Sequence, residues 1–345
     1  MPSLALVETS PPDIAVEIGQ RLCGAEIESA EIITGGGNNG LYKITAGPDS
    51  YALKLYRRDP RDPRDRLKTE VAAVEFLTGE GVSCIPRLVA HDASDGAALF
   101  EWIDGVPIQT PERSDITRAT AFIARLKDLS RSDRASHLPL ASEACFSVTD
   151  TITQIRARRE RLDEVINYGL KDYLLDEFDP ATDEICDGIL NLLERAAISA
   201  KQPLPASGWT LSPSDFGFHN ALRRPNGEVV FLDFEYFGWD DPAKLVSDTL
   251  LHPGMDLDDG AKRSITETCT NIFRETPKFR QKLQFVLPLY GLRWCLILLN
   301  IYLQDGAQIS STGENEVIEH RRQAQLLKSR NMLATALKLY RTLGR

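Results

Sequence analysis

The stretch from Ser212 to Pro242 constrains this chain more than any other. It reads Ser-Pro-Ser-Asp-Phe-Gly-Phe-His-Asn, then a turn and a strand, then Phe-Leu-Asp-Phe-Glu-Tyr-Phe-Gly-Trp-Asp-Asp-Pro. Asp215 and Asn220 stand five apart on a loop. Asp233 follows a short apolar strand, Val229 to Leu232, entered through the Asn226-Gly227 turn. A carboxylate, an amide oxygen and a second carboxylate brought together by a hairpin form a hard-oxygen set of the kind magnesium requires. Taken singly, Asp215 is also readable as a turn carboxylate after Pro213, and Asp233 as an ordinary hairpin-end aspartate.

Upstream features belong with this set. Gly35 to Gly40 (Gly-Gly-Gly-Asn-Asn-Gly) lies between two expected strands. There the amides of Gly36, Gly37, Asn38 and Asn39 could close over phosphates without side-chain obstruction. A strand rather than a helix follows, so this is not a dinucleotide fingerprint. Taken alone, the segment is equally a glycine-rich hairpin turn.

Lys54 sits in the apolar strand Tyr-Ala-Leu-Lys-Leu-Tyr and needs a carboxylate partner. Glu70, at the start of the next helix, is expected to supply it, with Glu75 as the competitor. Glu101, Trp102 and Ile103 end a strand where backbone groups can meet an adenine edge. Beyond Asp233, a group comprising Glu235, Tyr236, Trp239, Asp240 and Asp241 could face a substrate, the acids attracting an amine and the rings stacking on a sugar or ammonium group. A solvated acidic surface accounts for the same acids equally well. His219 has no serine or cysteine nucleophile beside it and reads as structural.

The chain is expected to be α+β and bilobal. Residues 1–25 form an N-terminal helical extension with a helix over Pro12 to Cys23, 26–105 a small β-rich lobe, and 106–345 a larger, mainly helical lobe. Strands are expected at Ile32 to Thr34, Gly40 to Thr45, Tyr51 to Tyr56 and Ala97 to Trp102, and one helix at Leu67 to Thr78. Helical periods follow at Ile116 to Leu129, Thr151 to Leu170, Thr182 to Ala200, Leu283 to Leu303 and Val317 to Leu343. Gly105 and Pro107 mark the expected hinge.

Several classes are excluded. A net charge of −10 leaves no broad electrostatic footprint for nucleic acid. The six cysteines show no zinc-like spacing, which fits reduced thiols in a cytoplasmic protein. No secretory signal is recognisable, and the apolar run Phe285 to Leu303, interrupted by Pro288, Arg293 and Asn300, reads as a buried helix rather than a membrane span.

Together these residues resemble the aminoglycoside phosphotransferase and choline kinase superfamily, small-molecule relatives of the protein kinases. Gly35 to Tyr42 is similar to the family's Gly-Gly-x-x-Asn-x-x-Tyr nucleotide loop, with Asn39 at the asparagine. The resemblance implies a protein-kinase-like fold, ATP and Mg2+ as cofactors, a small-molecule acceptor, Lys54 with Glu70 as the phosphate-positioning ion pair, Asp215 as catalytic aspartate, and Asn220 and Asp233 as magnesium ligands. Asp233-Phe234-Glu235-Tyr236 resembles choline and ethanolamine kinases, whereas Gly238-Trp239-x-Asp241-Pro242 is closer to the aminoglycoside branch. The family usually writes His-Gly-Asp-x-His-Pro-x-Asn. Here Pro213 and Ser214 precede the aspartate, and Gly217 stands where a basic residue is common. A catalytically silent nucleotide-binding scaffold is the alternative that this departure raises. A protein kinase is disfavoured because no activation segment or Ala-Pro-Glu anchor follows Asp233.

Overall fold

A computed structural model describes residues 12–33, 39–57, 62, 64–303 and 312–343. Within them the chain divides into two compact units. One holds the residues up to Glu143, Thr210–Trp239 and Pro253–Cys269; the other holds Ala144–Trp209, Asp240–His252 and the residues from Thr270 onward. Every residue of the candidate site proper lies in the first.

Helix α1 (Pro12–Cys23) precedes the strands β1 (Ser29–Ile32), β2 (Asn39–Ala46) and β3 (Asp49–Tyr56), helix α2 (Arg66–Gly79), and strands β4 (Leu88–Asp92) and β5 (Ala97–Glu101). The five strands form one antiparallel sheet in the order β1-β2-β3-β5-β4. Its core packs Ala15 and Ile18 of α1 against Tyr42, Ile44, Leu53 and Leu99. Each large aliphatic side chain withdrawn in this way is worth about 1.5–3 kcal/mol relative to exposure. The helix comes close because Gly19 has no side chain: a Cβ there would lie 3.2 Å from Ile44. Strand β4, which the sequence pattern does not predict, is an edge strand whose exposed residues alternate with half-buried ones, so it lacks the apolar density that marks its neighbours.

Helix α2 begins at an Asp65 cap that accepts from the Lys68 amide at 3.0 Å. Its inward face carries Leu67, Glu70, Val71, Val74 and Leu77, whereas Glu75 is exposed. Five residues correspond to about 140° around a helix, so Glu70 and Glu75 cannot share a face, and only Glu70 points at the sheet.

The first unit continues with the short strand β6 (Val106–Pro107) and helix α3 (Arg113–Leu129), then β7 (Thr210–Ser212) and the hairpin β8 (Ala221–Arg223) and β9 (Val229–Phe231). Gly227 turns the hairpin with φ +82°. Its register pairs Ala221 with Phe231 and Arg223 with Val229, and Leu232 donates to Asn220 O at 2.8 Å. Asn220 and Asp233 consequently leave the same end of one hairpin.

The second unit is helical: α4 (Val148–Glu160), α5 (Tyr168–Tyr173), α6 (Asp179–Arg195), α7 (Pro242–Leu251), the last turn of α8 (Asp259–Ile272), α9 (Phe279–Leu298) and α10 (Thr312–Thr342). The helix expected over Thr151 to Leu170 is two helices, because Asn167 caps a new start by accepting from the Leu170 amide. The segment Phe279–Leu303 has the length and apolarity to cross a membrane, but 72% of its apolar window is buried in the protein. It packs against α4, α7 and α10 as a core helix.

Candidate active site

The site is assembled from residues whose neighbours pack into one aromatic cluster. Phe122 of α3 lies 4.8 Å from Phe231, 5.6 Å from Phe216 and 6.3 Å from Phe234, centroid to centroid. Phe216 follows Asp215, while Phe231 and Phe234 bracket Asp233. Burial of the rings thus fixes both loops that carry the acidic groups. Asp233 and Ser214 adopt left-handed backbone, with φ +65° and +66°. Such conformations cost about 1–3 kcal/mol each away from glycine and concentrate at functional sites.

Lys54, on the central strand β3, is the hub. Its Nζ lies 2.6 Å from Glu70 Oε2, 2.7 Å from Asp233 Oδ1 and 3.2 Å from Glu235 Oε2. Glu70 also accepts from Tyr56 Oη at 2.6 Å and from the Phe234 amide at 3.1 Å, which ties α2 to the segment after Asp233. Asn39 Nδ2 donates to Glu235 Oε2 at 2.5 Å. Arg66 approaches the other oxygen of Glu235 at 3.6 Å and shares Asp62 with Arg64. Both guanidinium groups lie over the Tyr236 ring, at 5.0 Å for Arg64 and 5.6 Å for Arg66.

Burial would lower the Lys54 ammonium, but Asp233, Glu70, Tyr56 and Glu235 hold it well above its ordinary value. Desolvation pushes Asp233 up to about 7; Lys54 opposes this, while Glu235 and Glu70 add to it. Burial would raise Glu235 too, yet Lys54, Arg66 and the Asn39 hydrogen bond keep it below its ordinary value. Two adjacent acids are thereby driven in opposite directions, a pattern common at functional sites.

The second half of the site is the loop after β7. His219 Nε2 lies 3.2 Å from Asp215 Oδ1, and Asn220 Nδ2 donates to Asp215 O at 3.1 Å. With its amino group committed there, the acceptor end of the Asn220 amide remains for a cation. A Cβ on Gly217 would fall 2.7 Å from both His219 Nδ1 and Met255 Sδ, so the His219 ring and the Met255 sulfur occupy the space a side chain would need. His219, read from sequence as structural, in fact touches the candidate catalytic carboxylate. Glu70, Asp233 and Glu235 offer carboxylate oxygens within 4.8 Å of one another, a donor set that suits a hard divalent cation.

Of the remaining sequence candidates, Gly36, Gly37 and Asn38 lie outside the described residues. The Glu101 amide donates to Arg87 O and the Trp102 amide to Ser50 O, so both are engaged within the sheet region. Among the described residues the Ile103 amide has no backbone partner.

The expected cationic-substrate group is not assembled as such. Asp240 is fully buried and paired with Lys244 at 2.8 Å, and Asp241 caps α7 through the Ala243 amide while pairing with Lys282. Both are committed to internal structure, because a buried acid needs a partner more than a surface one does. Trp239 Nε1 donates to Ala135 O at 3.0 Å, and its backbone pairs with Pro139 and Ala141. The face of Tyr236 is taken by two arginines, and Glu235 is only 3% exposed.

Comparison with known proteins agrees with this geometry. The model of the phosphotransferase enzyme family (APH) matches residues 29–259. No curated protein sequence matches. Among solved structures, the spectinomycin phosphotransferase APH(9)-Ia in complex with ADP and spectinomycin superposes with a TM-score of 0.61 at 14% identity, covering 95% of this chain and 97% of that one. The gentamicin complex of APH(2")-IIa gives 0.60 at 16%, covering 96% and 99%. The choline kinase LicA from Streptococcus pneumoniae gives 0.58 at 15%, covering 94% and 98%. These likenesses establish the bilobal, protein-kinase-like α+β fold, an antiparallel sheet followed by a mostly helical part. With that fold and a family match spanning the site, the chain belongs to the phosphotransferase enzyme family and is a small-molecule kinase.

Proposed function

We propose that the protein transfers the γ-phosphoryl group of ATP to a hydroxyl of a small polar metabolite, an amino sugar, sugar or amino alcohol, with magnesium assisting. The observation that carries this reading is Lys54 held between Glu70 and Asp233 at 2.6 and 2.7 Å. A lysine so pinned keeps its charge and its place, ready to exchange an acid for a phosphate oxygen. Related folds support the nucleotide: the spectinomycin phosphotransferase was solved with ADP, LicA with AMP and APH(2")-IIa with ATP.

In this reading Asp215 accepts the proton of the acceptor hydroxyl as its oxygen attacks the γ-phosphorus and the bond to the β-bridging oxygen breaks, releasing ADP. His219 contacts the Asp215 carboxylate, while Asn220 holds the Asp215 main-chain carbonyl. Lys54 sets the phosphates, and the Ile103 amide is free for the adenine edge. Asn220 and Asp233 would hold magnesium, with Glu70 and Glu235 nearby; the ion supplies charge neutralisation at the transferring group. In such transfers most of the rate comes from positioning and charge stabilisation.

The test is an ATP-consumption screen over aminoglycosides, sugars, choline-like alcohols and hydroxy amino acids. Acceptor-dependent ADP formation that requires magnesium supports the proposal. ATP binding with no transfer to any acceptor would leave a nucleotide-binding scaffold instead.

A further inference from the structure

Ser142 commits each of its three polar groups to a different segment of the site. Its Oγ accepts from Arg64 Nη1 at 3.0 Å, on the stretch that leads into α2. Its amide donates to Tyr236 O at 3.0 Å, three residues beyond Asp233. Its carbonyl accepts from Ser214 Oγ at 3.0 Å, immediately before Asp215. The partners lie far from it in sequence, so these bonds specify tertiary placement rather than local structure.

The segment bearing Ser142 is itself held firmly. Trp239 donates to Pro139 O and accepts from Ala141 N, both at 2.9 Å. A Cβ on Gly238 would lie 2.4 Å from Pro139 O and 2.5 Å from Ala141 N, so a glycine is what permits the close approach. At the other end of the tether, Ser214 sits at φ +66°, a conformation a serine keeps only where its surroundings impose it. The Ser142 carbonyl supplies one such hold; the Ser212 Oγ, which accepts from the Ser214 amide at 3.0 Å, supplies another.

We infer that Ser142 is a positioning residue for phosphotransfer, fixing the Asp215 loop through Ser214 while clasping the segments that follow Asp233 and precede Glu70. The effect on rate rests on the function proposed above; the tether itself does not.

The experiment compares the intact chain with Ser214→Gly, Ser214→Ala and Ser142→Ala in kcat, KM for ATP, thermal midpoint and amide exchange at residues 214–216 without nucleotide. Ser214→Gly relieves the positive φ while removing the tether. It should lower kcat about tenfold with KM for ATP within about twofold, as expected when a reacting group is misplaced while substrate binding is left intact. Exchange at 214–216 should quicken in both Ser214 variants, with little change in midpoint. Ser142→Ala frees only Arg64 and should do less to kcat. Unchanged kcat in Ser214→Gly, or a fall that merely tracks the folded fraction, overturns the inference. If the wild-type chain phosphorylates no acceptor, the functional reading falls separately and amide exchange decides the tether: undiminished protection at 214–216 in the Ser214 variants would overturn it.

Discussion

Asn39 and Glu235, 196 positions apart, are joined by a 2.5 Å hydrogen bond from Nδ2 to Oε2. The bond closes the start of β2, where the glycine-rich segment ends, onto the residue two beyond Asp233. The same Glu235 oxygen lies 3.2 Å from Lys54 Nζ. The start of β2, Lys54 and the segment after Asp233 are therefore mechanically linked.

Breaking that link should weaken nucleotide binding as well as the fold. Asn39→Ala leaves Glu235 its two cationic neighbours but frees the loop. It should raise KM for ATP about tenfold with a stability loss of about 1.5–3 kcal/mol, the range for a hydrogen bond to a charged group. Steady-state kinetics and urea unfolding check this; an unchanged KM would show that the bond does not hold the nucleotide loop.

Removing the Lys54 charge leaves Glu70, Asp233 and Glu235 facing one another. Lys54→Met should destabilise the chain by about 3 kcal/mol, the cost of stripping one partner from a buried ionic cluster. Because Glu70 and Asp233 then lose their counter-charge and Glu235 keeps only Arg66, magnesium should raise the thermal midpoint of Lys54→Met more than that of the wild type. Midpoints measured with and without the metal give the comparison.

Two acids titrate well above their ordinary value of 3.8: Asp233 at about 7 and Asp240 at about 6, each raised first by burial and opposed by a lysine. Between about pH 4 and 7 the folded chain thus retains protons that the unfolded chain has released. The stability these groups contribute is full below that window and declines as pH rises through it. Metal-free urea titrations should show this decline; a rise in their contribution, judged against Asp233→Asn and Asp240→Asn, would contradict it. Magnesium bound at Asp233 as proposed would compete with the proton there, so its apparent affinity should improve as pH rises past about 7.

Gly217 is required because the His219 ring and the Met255 sulfur fill the space beside it. Gly217→Ala should push His219 off Asp215 and lower kcat about tenfold, in line with the removal of an orienting partner. Met255→Ala in the same background opens room and should recover part of the loss. No recovery would mean that the ring position does not matter.

The legible parts of this protein are those where local chemistry announces long-range need. A lysine in an apolar strand demands an acid, and the carboxylate-amide-carboxylate order around one hairpin announces the other half of the site. The sequence leaves Glu75 as a competitor on a similar helix face, and the structure decides for Glu70, because Glu75 is exposed and Glu70 meets Lys54 at 2.6 Å. Other features are hidden for definite reasons. His219 meets Asp215 four residues away, but on an irregular loop without helical periodicity to predict the contact. Asp240 and Asp241 resemble a surface acidic run; the warning is Lys244, four residues after Asp240 on a helix. Ser142 acts mostly through its backbone and through partners remote in sequence, so nothing in its vicinity marks it. Strand β4 lacks the apolar alternation of its neighbours because it lies at the sheet edge.

The most direct test of the account is phosphoryl transfer by Asp215→Asn, measured with γ-labelled ATP and the acceptor that the screen identifies. The substitution keeps the size of the side chain and removes its basicity. The account predicts a folded protein whose affinity for magnesium-ATP stays within about threefold while transfer falls at least about a hundredfold, the scale of general acid-base assistance. Transfer at the wild-type rate by Asp215→Asn would contradict the assignment of the carboxylate that His219 contacts as the proton acceptor.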